Sequence, residues 1–170
     1  AGLATLPAIV RDMTHDEAVI AMVDANLQRE RILPSEKAFS YAMKLDAIKR
    51  QGKRNDLTSV PMAQKLTSRE IVAMQAGESQ DQVRRYIRLT ELIPEILELV
   101  DDGKIGMRPA VELSYLAEAE QYALFDAMER QSCTPSHAQA IKLRRFSKEG
   151  RLSPDVTLSI MCEEKPNQAE

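Results

Sequence analysis

Six side chains between positions 79 and 88 carry chemistry suited to a nucleic-acid surface: Ser79, Gln80, Asp81, Arg84, Arg85 and Arg88. A glutamine amide matches the donor and acceptor pair on adenine, and an arginine fork matches guanine or a phosphate. A serine hydroxyl at a helix start is placed to bond a phosphate. These residues need a rigid element to aim them, and the flanking sequence predicts one. Thr67 followed by Glu70 has capping-box spacing and opens a helix over Ser68 to Gln75. Ala76-Gly77-Glu78 makes the turn, with Gly77 supplying the backbone freedom of a helix exit. Ser79 then caps a second helix, with Gln82 at the reciprocal position. Ile71, Val72, Val83, Ile87 and Leu89 are the apolar residues available to fix the crossing. This is the plan of a helix-turn-helix whose second helix enters the major groove. An ordinary helical hairpin with a solvated polar face fits the same spacing.

The rest of the chain sets limits. With 170 residues it has room for one large domain or two small ones. Hydrophobic residues make up 44% and aromatics 4%, with no Trp, so cores of Leu, Ile, Val, Ala and Met are expected, which suits helix packing. The formal net charge is −3, so any contact with nucleic acid must come from a local basic face. Cys133 and Cys162 show no ligand spacing and read as plain thiols in a reducing compartment. His15 and His137 stand alone in helix first turns and make neither a metal site nor a general base. No nucleophile elbow, Walker loop or GxGxxG is present, and nothing argues for a self-sufficient active site. No apolar run has the length of a membrane span and no signal peptide is visible, so a cytoplasmic, nucleoid-associated protein is expected. The start at Ala1 rather than Met reads as an excised or processed piece.

In chain order, Pro7-Ala8-Ile9-Val10 reads as a short strand. Thr14 with Glu17 caps a helix running towards Arg29. Pro34-Ser35 opens a long helix that Gly52 ends, and Gly52 to Thr58 is the linker candidate, with Lys53 and Arg54 in reach of phosphate or simply solvated. Val60 to Leu66 is expected to form a short helix. Pro94 starts a helix that Asp101-Asp102-Gly103 closes, and its acidic face (Glu91, Glu95, Glu98, Asp101, Asp102) is expected to turn away from any DNA. Further helices are expected from Pro109 through Leu116, over Glu118 to Gln131, after a Thr134-Pro135 cap, and after a Ser153-Pro154 cap. Lys142, Arg144, Arg145 and Lys148 make the penultimate helix locally basic.

Taken together, three segments resemble one family. Asn26-Leu27-Gln28-Arg29-Glu30 followed by Leu33 to Ala38, then Gly77 to Leu89, then Lys104-Ile105 with Pro109 to Leu113, are similar in collinear order to the ParB-type partition proteins, including the subfamily of mobile elements. The resemblance implies a homodimeric DNA clamp that loads at centromere-like sites of a chromosome, plasmid or mobile element, closes with CTP and Mg²⁺, and works with a ParA-type ATPase. Carried over, Asn26 would help hold the metal ion on the nucleotide and Arg29 would face its phosphates. Ala25 stands where the family usually has Glu, with Asp24 one residue earlier. The family's arginine-rich phosphate box would lie upstream of Ala1 and its dimerisation domain beyond Glu170.

The expected fold is mainly α and multi-helical. A remnant of an α/β nucleotide-binding domain occupies residues 1–52, a helix-turn-helix DNA-binding domain 53–131, and a helical unit with the start of a linker 132–170. Ser79 is expected on a phosphate, Gln80, Asp81, Arg84 and Arg85 on base edges, and Arg88, Lys104 and Arg108 on the backbone of double-stranded DNA. Two other readings stand beside this one. One is a related transcriptional regulator or nucleoid-occlusion factor using the same motif. The other is a helical interaction module whose basic helix binds acidic proteins.

Overall fold

The computed structural model describes residues 9–55 and 66–163. The expected helix at Val60 to Leu66 lies outside the described residues but for Leu66, which is not helical, and half of the expected strand at Pro7 to Val10 lies outside them too; Ile9 and Val10 are not in a strand. All regular structure among the described residues is helical: α1 (His15–Leu27), α2 (Pro34–Asn55), α3 (Ser68–Ala76), α4 (Gln80–Arg88), α5 (Pro94–Asp101), α6 (Met107–Leu113), α7 (Glu118–Gln131), α8 (His137–Lys148) and α9 (Pro154–Met161), with a 3-10 turn at Leu89–Glu91. The mainly α expectation holds.

Local chemistry sets most of the helix starts. Thr14 and Glu17 form a reciprocal capping box on α1, and Thr67 and Glu70 form one on α3. Pro94 and Pro154 sit in the first turns of α5 and α9, where a missing N–H costs nothing. Several boundaries differ from the sequence reading, three of them for a clear physical reason. The helix α2 runs through Gly52 to Asn55, because one interior glycine weakens a helix without ending it. The helix α6 starts at Met107, with Pro109 inside its first turn. The helix α8 is capped by Ser136 rather than Thr134: Ser136 and Gln139 form a complete box, whereas the Thr134 hydroxyl donates to the Lys104 carbonyl at 3.2 Å.

Two cores form, and α2 enters both. Tyr41 and Leu45 of α2 pack with Val72, Ala73 and Val83 of α3 and α4. One turn earlier, Ala38 belongs to the larger core of Leu89, Ile96, Leu113, Leu124, Leu143 and Ile160. The helix α1 lies along α2 and is held by two ion pairs. Asp24 pairs with Lys44, whose side chain is only 1% exposed, and the buried carboxylate of Asp16 accepts from Arg50 Nε at 2.9 Å. A buried ammonium is tolerable only when paired in this way. At the other end of α2, the Ser35 N–H and hydroxyl donate to Asp101, tying the start of α2 to the end of α5.

Buried amides lock the larger core. The Gln121 Oε1 accepts from the Ile93 N–H at 2.9 Å, and its Nε2 donates to the carbonyls of Glu91 and Leu116 at 3.0 and 3.1 Å. One side chain thus joins the entry to α5, the exit of α6 and the body of α7. Gln139 does the same for α9, donating to the Ile160 carbonyl at 2.9 Å.

Candidate nucleic-acid interface

The helices α3 and α4 form the turn that the sequence predicts. Gly77 sits in the left-handed region at φ 65°, and its N–H bonds the carbonyls of Ala73 and Met74. The Glu78 N–H closes the exit on the Ala73 carbonyl at 3.0 Å. The Ser79 hydroxyl accepts from the Gln82 N–H at 3.1 Å, so its own O–H remains a donor at the exposed start of α4. Val83 is fully buried and fixes the inner face, while Arg84 and Arg85 are exposed on the outer one.

The turn is braced from α2. The Lys37 ammonium pairs with Glu78 and lies 4.8 Å from the centre of the Tyr86 ring. Tyr41 and Tyr86 meet edge to face at 5.7 Å. Partial burial pushes the Lys37 pKa down, but the hydrogen bond to Glu78, with Tyr41, Tyr86 and the Glu78 charge, more than reverses this, and the net shift is upward. Burial raises the Tyr41 phenol.

The structure divides the expected DNA-facing residues into groups. Ser79, Gln80 and Asp81 sit at the start of α4. The Gln80 Nε2 donates to Glu70 across the turn at 3.1 Å, and Asp81 lies 3.5 Å from Arg84. Arg84, Arg85 and Arg88 converge on a cavity of about 190 Å³. Arg88 is half-buried there: its Nε donates to the Ser114 hydroxyl at 3.1 Å and its Nη2 to the Ser114 carbonyl. Arg108 is exposed in the first turn of α6. Lys104 pairs with Asp102 at 2.9 Å and does not line the cavity that the arginines share.

Sequence reasoning missed two residues of this face. Arg144 of α8 lines the same cavity, donates to Glu112 at 2.8 Å, and lies 3.7 Å from the centre of the Tyr115 ring. Arg88 lies 4.2 Å from that ring. The basic character of α8 was visible in the sequence, but its packing against α6 was not. Lys142, on the same helix, is paired with Glu163.

Asn26 and Arg29 lie near the end of α1. Arg29 borders a cavity of about 700 Å³ with Lys37, Tyr41 and Tyr86, and its Nη1 is 3.4 Å from Glu36. Asn26 is exposed and does not line that cavity. Asp24 is committed to Lys44. Among the described residues no group of three or more His, Cys, Asp or Glu is placed to hold a metal ion. Asn26 and Arg29 are therefore not brought together in the lining of this cavity. No described helix is long and apolar enough to cross a membrane.

Comparison with known proteins places this face in context. The family model described as the ParB HTH domain matches residues 46–142. The chromosome-partitioning protein Spo0J of Thermus thermophilus is 34% identical over 161 residues, covering 94% of this chain and 53% of that protein. The probable chromosome 1-partitioning protein ParB of Deinococcus radiodurans is 28% identical, covering 88% of this chain and 46% of that protein. A nucleoid occlusion protein of Listeria innocua is 32% identical over 120 residues, covering 70% of this chain and 36% of that protein. The chain thus spans about half the length of the partitioning proteins it matches. Among solved structures, the C-terminally truncated chromosome-partitioning protein ParB from Caulobacter crescentus, complexed to the centromeric parS site, is 19% identical with a TM-score of 0.47, covering 94% of this chain and 65% of that one.

Proposed function

This chain belongs to the ParB HTH domain family, and on that premise we propose that it binds double-stranded DNA at specific sites in chromosome partition. The observation that carries the reading is the outer face of α4, where Arg84 and Arg85 stand exposed behind a free serine O–H on a helix that α3 and α2 hold rigid. In this reading α4 enters the major groove, Gln80, Asp81, Arg84 and Arg85 meet base edges, and Ser79, Arg88 and Arg108 meet phosphates. Lys104, paired with Asp102 and outside the arginine cavity, would meet the backbone only if the duplex extends past α6.

Sequencing of random duplexes selected by the chain tests this. A short preferred sequence is expected. Arg84→Ala should cost about 1–3 kcal/mol and relax one base position. An equal loss on every sequence would make Arg84 a phosphate contact, and no loss would remove it from the interface.

For the intact protein the same reading extends to a homodimeric clamp working with a ParA-type ATPase. Family membership supports that extension. CTP and Mg²⁺ belong to the same extension for the intact protein, with Asn26 and Arg29 as the residues that would face them. The similarity to nucleoid occlusion proteins supports a second reading, in which the same face marks sites without a partition ATPase. An adjacent ParA-like gene, or co-purification of such an ATPase with the full-length protein, favours the first.

A further inference from the structure

The cavity among α4, α6 and α8 collects more positive charge than anything nearby neutralises. Arg84, Arg85, Arg88 and Arg144 face it, and Glu112 is the one carboxylate in its lining. This happens in a chain whose net charge is −3, so the convergence is local and not a by-product of composition. Four guanidinium groups drawn together repel one another unless an anion sits among them. The cavity of about 190 Å³ falls below the roughly 300–1,000 Å³ of pockets that enclose whole small molecules, so it suits a single group and not a nucleotide.

The arginines are also held ready. Arg88 and Arg144 both lie over the ring of Tyr115, at 4.2 and 3.7 Å from its centre, and Tyr115 is itself 43% exposed. Stacking occupies the flat face of a guanidinium and leaves its N–H edge for an oxyanion. Glu112 fixes Arg144 through one nitrogen, and Ser114 fixes Arg88 through two. Arg85 has no carboxylate partner among the described residues. Arg88 and Arg144 are therefore oriented and retain donors, and Arg85 brings a guanidinium with no carboxylate on it among the described residues.

We propose that this cavity holds a phosphate oxyanion of the DNA backbone, with Arg144 of α8 as a phosphate ligand outside the helix-turn-helix and Tyr115 as the residue that positions Arg88 and Arg144. The proposal rests on the DNA-binding reading above. It draws α8 into the interface and gives the arginines at the far end of α4 a phosphate to hold while the start of the helix reads bases.

The test uses the whole chain and its Arg144→Gln, Arg144→Lys and Tyr115→Leu variants. Duplex affinity is measured over a salt series on the preferred and on a scrambled sequence. Loss of one phosphate contact should flatten the slope of log K against log salt by about 0.9, with base preference retained. Arg144→Gln should show this flattening. Arg144→Lys should recover most of the slope, and Tyr115→Leu should lower affinity on both sequences equally. In a second arm, inorganic phosphate is titrated while arginine Nε–H resonances are followed by NMR. If the slope is unchanged in Arg144→Gln but phosphate binds saturably and that variant abolishes it, the site takes a free anion and the backbone assignment is overturned. If neither arm responds to Arg144→Gln while melting temperature falls, the stack is structural and the proposal fails. A wild-type chain that binds no duplex at all would sink the DNA reading itself, and the phosphate arm alone would then decide whether an anion site exists.

Discussion

At the residue scale, the cost of leaving a buried polar group unpaired decides which side chains matter away from the proposed DNA face. Gln121 satisfies one N–H and two carbonyls at the junction of α5, α6 and α7. Gln121→Leu keeps the volume nearly constant but strands the Ile93 N–H in the core, so destabilisation of about 1–3 kcal/mol is expected in denaturant unfolding. Unchanged stability would mean that water takes over these bonds. This residue was not legible in the sequence, where a glutamine in an amphipathic helix reads as surface. The set proposed to face DNA was legible in part. Residues 79 to 88 are local and follow from helix period, capping and side-chain chemistry. Tyr115 and Arg144 were not, since they join Arg88 only through the packing of α8 on α6, and no local pattern reports that contact.

At the scale of elements, capping chemistry carried most of the sequence reading and marks where it failed. The boxes at Thr14 and Thr67 formed as expected, because each pairs a hydroxyl with a glutamate three residues on. At Thr134 and Ser136 two caps competed, and the one with a reciprocal partner, Gln139, took the helix. Such boxes also make the helix starts sensitive to acid. Hydrogen bonds from Thr14 and Thr67 hold the Glu17 and Glu70 carboxyls below their ordinary value of 4.5. A carboxyl lowered in the folded state adds stability that is present above the ordinary value and is lost as pH falls through the lowered one. Amide protection in the first turns of α1 and α3 should therefore drop on acidification below about 4.5, ahead of the core helices. Glu70→Gln should remove the pH dependence at α3 alone. Protection that stays flat through this range would show that the glutamates do not hold the turns. Glu70 also accepts from Gln80, so the same carboxyl touches the start of α4.

At the scale of the whole molecule, charge and hydrophobicity are partitioned differently. The chain is acidic overall, yet its arginines gather where α4, α6 and α8 meet. The composition foretold helices built on aliphatic residues. It could not foretell that they would form two cores joined through one helix, because that depends on where along α2 each apolar residue falls. Ala38 is buried in one core and Tyr41, a single turn later, in the other. Tyr86 of α4 packs against both. Neither core can lose α2 without opening the other, so the two should not melt as independent foldons. Tyrosine fluorescence and helix circular dichroism are expected to trace one coincident transition. Two separated transitions would mean that the cores uncouple. If α2 couples the cores in this way, a destabilising substitution beside α9 should lower the population of an intact helix-turn-helix without touching it.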